Sequence, residues 1–218
     1  DFEILVVANG CKDNTIEVVK KVAKKHKQIK YKDIKEAVGK GGAVIDGFKL
    51  VNGELIGFVD ADNSTSAEVF YDLVKKINGY DCVIASRWIE GAIVKPKQPL
   101  SRRIASRGFN TLVRMLFGIN VNDSQCGAKL LKRNAVKTVV NELGITRWAF
   151  DVDLLYNLKR KGFKSVEIPT YWSDAGGSKL NVVRTSFEMF LAIIRLRLIY
   201  SPFKFIVNLY DGISERLR

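Results

Sequence analysis

Short apolar runs and amphipathic stretches take turns along the first half of the chain. Phe2-Glu3-Ile4-Leu5-Val6-Val7 reads as a buried strand, and a polar turn from Ala8 to Asn14 follows it. Ile16, Val19, Ala23 and His26 then recur at helical spacing, with lysines opposite and Asp13 or Asn14 as the cap. Lys30 to Ile34 alternates like an edge strand. Gly39-Lys40-Gly41-Gly42 opens a helix whose Val44, Gly47, Phe48 and Val51 share a face. Leu55 to Val59 is a strand, Phe70, Leu73, Val74 and Ile77 mark a helix, and Cys82 to Ser86 is another buried strand. This alternation predicts an α/β fold: a mostly parallel sheet with helices on both faces.

The second half is less regular. After a loop with Pro96 and Pro99, a basic helix is expected from Arg102 to Phe117, with Phe109, Leu112, Val113 and Leu116 as its apolar stripe. Asp123 to Gly127 is a polar insertion before Ala128-Lys129-Leu130-Leu131, and Asn134 is expected to cap a short helix. A helix from Trp148 to about Lys161, a strand from Lys164 to Ile168 and a Gly-containing loop from Tyr171 to Lys179 follow. Val182 to Tyr200 is helical and apolar around most of its circumference, and Ser201-Pro202 ends it. Such a helix is buried or rests on something apolar. Arg195 and Arg197 interrupt it, which suits an interfacial position better than a membrane span, with an ordinary core helix as the equal alternative. The pattern divides the chain into an α/β unit over residues 1–180 and C-terminal apolar helices over 181–218.

Charge adds a partner class. The formal net charge is +13 over 218 residues, which suits a polyanion: nucleic acid, a phosphorylated substrate or an anionic membrane surface. No zinc-finger or RNP-type motif supports the first of these. His26 is the only histidine, which excludes multi-histidine metal sites, and its place in a Lys-rich helix reads as structural or solvated. Cys11, Cys82 and Cys126 lie far apart and odd in number, with no disulfide framework or zinc spacing, and suit a reducing cytosol. No uninterrupted apolar run reaches about 18 residues.

Candidate chemistry gathers where strands end. Asp60 and Asp62 follow the apolar run Leu55 to Val59, where open α/β sheets bind ligands. With Ser64 they are hard oxygen donors suited to Mg²⁺ or Mn²⁺, ions that usually arrive with phosphates. The bland alternative is that Asp62-Asn63-Ser64 caps the helix near Ala67. Asn9, Gly10 and Asp13 sit at the first strand end, and Lys40 lies at a Gly-rich helix start that attracts anions. Arg103 and Arg107 share a helix face, with Arg102 beside them, and guanidinium pairs bind phosphate well. Asp123 reads as a base or as an anchor for a cation. Asp151 and Asp153 lie in a first helical turn, where acids are favoured anyway.

In order, these stretches resemble inverting glycosyltransferases of family 2 with the GT-A fold, nearest the branch that makes polyprenyl- or dolichyl-phosphate sugars. The motifs are Val7 to Thr15, Gly39-Lys40-Gly41, Asp60-Ala61-Asp62, Ala85-Ser86-Arg87, and Asp123-Ser124-Gln125-Cys126-Gly127-Ala128-Lys129-Leu130. Phe150-Asp151-Val152-Asp153, Glu167-Ile168-Pro169 and Gly177-Ser178-Lys179 complete the series. The family's opening strand with a P-A-Y-N-E type ending has no counterpart, and Ala8-Asn9 replaces a pair of aspartates. The resemblance implies a UDP-glucose or GDP-mannose donor held by Asn9, Gly10, Asp13, Lys40, Asp60, Ala61 and Asp62. It implies a metal at Asp62, Asp60 and Ser64, with Asp60, Arg87 and Asp123 catalytic. Arg102, Arg103, Arg107 and Lys129 would bind the acceptor phosphate, and Gln125, Asp151, Asp153, Ser178 and Lys179 would support the site. The Q-C-G form and Ser178-Lys179 favour UDP-glucose. The expected setting is the cytoplasmic face of a membrane. A non-catalytic nucleotide-sugar-binding protein, suggested by Ala8-Asn9, is the alternative.

Overall fold

The computed structural model describes residues 1–144, 149–173 and 182–216. Strand β1 (Ile4–Asn9), helix α1 (Thr15–Lys25) and strand β2 (Ile29–Ile34) form a parallel two-stranded unit. Then come α2 (Gly39–Leu50), β3 (Leu55–Val59), α3 (Ala67–Lys76) and β4 (Cys82–Ser86), where the sequence pattern expects them. The remainder is β5 (Ile93–Lys95), α4 (Leu100–Phe117), β6 (Ala128–Lys132), α5 (Arg133–Val139), α6 (Phe150–Arg160), β7 (Ser165–Pro169), β8 (Tyr171–Ser173), α7 (Val182–Ile199) and α8 (Lys204–Arg216).

The central sheet runs β3-β6-β4-β7. β4 pairs parallel with β7, but β6 runs antiparallel to both of its neighbours. The sheet is therefore mixed, and the strand that makes it so follows the polar insertion. β5 and β8, three residues each, pair in a separate parallel ribbon. Asn134 is not a cap: Lys132 precedes the first turn of α5. The basic helix starts two residues before Arg102, after Pro99, and ends at Gly118 in the left-handed conformation.

Every residue of β4 is buried, and its side chains alternate between two cores. Cys82 and Ile84 join a large core built with α2, α4, α5, α6 and α7. Val83 and Ala85 join a smaller one beneath α3, with Leu73, Ala128 and Leu130. Helices thus cover both faces. Ile193 and Leu196 place α7 in the large core, so it packs as a core helix. Its other side leaves Val183, Phe187, Phe190 and Leu191 exposed in one stripe, and Phe205, Ile206, Leu209 and Tyr210 of α8 are exposed as well. Among the described residues, no helix is long and apolar enough to cross a membrane.

Candidate active site

The turn after β3 is not a helix cap. Ser66 caps α3, its Oγ accepting a long bond of 3.5 Å from the Val69 N–H. Asp62 instead folds back on its own turn, with Oδ1 accepting from the Ser64 N–H at 2.9 Å while Asn63 adopts φ 58°. Asp62 and Ala61 are exposed, and Asp60 is half-buried. Ser64 is buried, which leaves its hydroxyl poorly placed as a metal ligand. Two carboxylates at a solvent-facing turn, without a third acidic, His or Cys partner among the described residues, suit a hard ion that brings its own phosphate and water ligands.

Beneath this turn lies an alternating row of charges. Asp60 Oδ1 accepts from Lys40 Nζ at 3.0 Å, and Lys40 reaches Asp151 Oδ2 at 3.4 Å. Asp151 Oδ1 accepts from Lys129 Nζ at 2.5 Å, and Lys129 also donates to the Cys126 carbonyl at 2.8 Å. The Phe58 ring has the Lys40 and Lys129 ammoniums 5.5 and 5.4 Å from its centroid. Burial works against the Asp151 charge, but Lys129 and Lys40 outweigh it and hold the carboxyl below its usual range. Burial likewise opposes the Lys40 charge, and Asp151 with Asp60 holds that ammonium above the ordinary lysine range. Lys129 is fully buried, so it does not reach a surface acceptor phosphate as the resemblance implied. It supports Lys40 from below through Asp151.

Asp123 is also fully buried. Arg87 Nε donates to its Oδ2 at 2.7 Å and Nη2 to its Oδ1 at 2.8 Å, with the Arg87 N–H adding a third bond at 2.9 Å. Both carboxylate oxygens are engaged by one guanidinium, so of the two expected roles, base or anchor for a cation, the geometry supports the anchor: Asp123 positions Arg87. Burial opposes the Arg87 charge, and Asp123 more than compensates. The same loop is tied down by residues the sequence analysis did not assign a task. Glu167 accepts from the Asn122 and Asp123 N–H groups at 2.8 Å each. The Asn110 side chain accepts from the Ser124 N–H at 2.9 Å.

A cavity of about 290 Å³ opens beside Arg87. Its polar lining is Arg87, Lys97, Gln98, Arg103, Arg107 and Trp88, with no acidic side chain among the described residues. Trp88 Nε1 and the buried Gln98 Nε2 find no acceptor among the described residues. Buried donors without partners are rare in folded proteins, and both of these belong to residues of the cavity wall. Arg87 and Arg107 each lie over the Trp88 ring, at 5.9 and 5.4 Å. Arg87 also lies 5.4 Å from the Trp172 ring, and Trp172 bridges to Thr65 in the turn after Asp62. The cation-lined cavity and the D-x-D turn are thus one tryptophan apart. Arg102 does not line it.

Other expected residues lie elsewhere or have structural duties. Asn9 Oδ1 accepts from the Val38 N–H at 2.7 Å and holds the entry to α2. Gly10 is left-handed and packs on Ala37, leaving no room for a Cβ. Asp13 accepts from the Thr15 N–H at the start of α1. These three do not join the charge row. Asp153 faces away from it, bonded to Tyr200 Oη at 2.6 Å, to Asn157 and to the Gly144 N–H. Burial pushes its carboxyl up to about 6. Gln125 is half-buried in the Asp123 loop. Ser178, Lys179 and Trp148 lie outside the described residues.

Comparison with known proteins now decides the family. The model of glycosyl transferase family 2 matches residues 1–140. The chain belongs to glycosyl transferase family 2. A dolichyl-phosphate beta-glucosyltransferase of Trichomonas vaginalis is 37% identical over 188 residues, covering 83% of this chain and 56% of that protein. The Saccharomyces cerevisiae dolichyl-phosphate beta-glucosyltransferase is 30% identical over 218 residues, covering 91% of this chain and 65% of its own. The chain spans less than two thirds of the length of these curated relatives. Among solved structures, a Pyrobaculum calidifontis mannosyltransferase in complex with GDP-mannose and Mn²⁺ superposes with TM-score 0.63 at 15% identity, over 91% of this chain and 55% of that one. The glucosyl-3-phosphoglycerate synthase of Mycobacterium tuberculosis, with Mn²⁺ and UDP-glucose, gives TM-score 0.61 at 14% identity, over 88% and 67%. The family 2 domain here therefore has the GT-A fold.

Proposed function

We propose that this chain transfers glucose from UDP-glucose to a polyprenyl or dolichyl phosphate, with inversion, using Mg²⁺ or Mn²⁺. The observation that carries this reading is the cavity lined by Arg87, Lys97, Arg103 and Arg107 beside the D-x-D turn, with no acidic side chain on its wall among the described residues. One place suits a diphosphate and the other a monophosphate. The names of the relatives, dolichyl-phosphate beta-glucosyltransferases, support glucose and dolichyl phosphate. The Mn²⁺ of the structural neighbours supports a divalent ion.

Asp62 and Asp60 would hold the ion, which when bound offsets charge on the departing nucleoside diphosphate. Lys40 steadies Asp60 and adds a positive charge at the start of α2. Arg103 and Arg107 would hold the acceptor phosphate, and Arg87 would be kept in place by Asp123. A phosphate monoester is already anionic at neutral pH, so its oxygen needs no strong base. That agrees with an Asp123 whose oxygens are both engaged. Attack by this oxygen opposite the leaving group inverts the anomeric carbon. Leu100 and Ile104, exposed on the helix that carries Arg103 and Arg107, offer apolar contact to a lipid tail. The outer stripe of α7 and the apolar side chains of α8 would rest on the cytoplasmic face of a membrane, which the excess of cations suits.

The test is transfer of labelled glucose from UDP-glucose to dolichyl phosphate in detergent with Mn²⁺. Asp62→Ala should abolish lipid-linked product. The paired change Arg103→Ala with Arg107→Ala should raise the KM for the lipid phosphate while leaving UDP binding in place. Transfer that survives Asp62→Ala would sink the metal assignment.

A further inference from the structure

Gly127 precedes β6 and lies opposite Asp60, one step beyond the Val59–Ala128 pair of the antiparallel ladder. The Asp60 N–H donates to the Gly127 carbonyl at 2.9 Å, so the two backbones are locked together. Gly127 is not among the glycines with positive φ. Its backbone would accept any residue, and the reason for glycine lies in the space above it.

That space holds a carboxylate. A Cβ on Gly127 would fall 1.9 Å from Asp60 Oδ2, 2.3 Å from its Cγ and 3.0 Å from its Cβ. Opposed Cβ atoms in an antiparallel pair normally stand about 4.5–5.5 Å apart. The Asp60 side chain therefore leans across the glycine, and in this posture Oδ1 meets Lys40 Nζ at 3.0 Å. Gly57, on the same ladder, is different: its Cβ would meet the Lys129 carbonyl, Phe70 and Leu130, which is a matter of packing alone.

We propose that Gly127 is a positioning residue for the D-x-D turn: its missing side chain is the seat on which the Asp60 carboxylate lies, turned toward Lys40. The functional half of this inference rests on Asp60 serving the metal-diphosphate site. The ladder prevents the backbones from separating, so a methyl group at 127 must rotate the Asp60 carboxylate away and break its contact with Lys40.

The test is a double-mutant cycle of Gly127→Ala and Asp60→Gly on the whole chain. Two quantities are read: the melting midpoint, and the affinity for Mn²⁺ with UDP, from the paramagnetic resonance signal of free Mn²⁺. Gly127→Ala should lower the midpoint and weaken Mn²⁺–UDP binding at least tenfold. In the Asp60→Gly background the same change should leave the midpoint unaltered. If Gly127→Ala alone fails to fold, Asp60→Gly should restore folding. Equal losses of midpoint in both backgrounds, or Gly127→Ala binding Mn²⁺–UDP as the parent does, would overturn the assignment. A parent that binds no Mn²⁺–UDP would instead refute the site reading, and the melting cycle would still decide whether Gly127 seats Asp60.

Discussion

The β1–α1–β2 unit and the β3-β6-β4-β7 sheet are built from similar lengths of strand and have opposite characters. α1 buries no residue, and Ala8 is the one buried position of β1. β4 is buried throughout, and β6 carries an ammonium into the interior at Lys129. The first unit spends its polar residues on turns and helix starts, as Asn9 and Asp13 do. The second spends them on buried ion pairs, each leading from the core to a side chain at the site. Charge is cheap in the first and constrained in the second, so the residues that orient chemistry cluster around β4 and β6.

Lysine substitution separates the two regions most widely. Lys129→Met removes the nearer of the two ammoniums that hold Asp151 in the core, leaving Lys40 at 3.4 Å, and should cost up to about 3–5 kcal/mol of stability, whereas exposed Lys24→Met should stay within about 0.5 kcal/mol. Chemical denaturation of the two variants measures the difference, and equal effects would erase the distinction. Apolar truncation sharpens it. Leu73→Ala beneath β4 should cost roughly 2–5 kcal/mol, and Val18→Ala on half-exposed α1 a small fraction of that. The smallest effect concerns pH. The folded Asp153 carboxyl sits at about 6, above its unfolded value of 3.8. The unfolded chain ionises first as pH rises, so this group's contribution to stability is greatest below pH 4 and is lost through pH 6. The stability difference between the parent and Asp153→Asn should therefore shift by up to about 3 kcal/mol across that window, and stay flat above it. A constant difference from pH 4 to 7 would show that Asp153 titrates normally.

Most of the fold was legible because β1 to β4 and their helices repeat a simple alternation of apolar runs. β6 was not. Ala128-Lys129-Leu130-Leu131-Lys132 has no strict alternation, and Asp151, arriving from α6 more than twenty positions later, is what makes an inward lysine tolerable. β5 and β8 are three residues long and leave no period to detect. At the site, Asp60, Asp62, Lys40 and the arginine pair stood out by type and spacing. Gln98 and Trp88 did not, because neither residue type carries a signal until the structure brings both to the wall of one cavity. Asp151 and Asp153 could not be separated by sequence, since both suit a first helical turn. One faces Lys129 and the other Tyr200, and that is a matter of helix rotation.

The Asp123 to Gly127 loop ends with a consequence for variation. Asp123 grips Arg87 in the loop after β4, Ser124 is bonded to Asn110 on α4, the Cys126 carbonyl receives Lys129, and Gly127 lies under Asp60. Four of five successive residues thus answer to four separate parts of the molecule. One inserted or deleted residue would put every later partner out of step, so the length of this loop should be invariant among descendants of this sequence. The polar turn after β1 has no such obligations beyond its two ends and is free to drift.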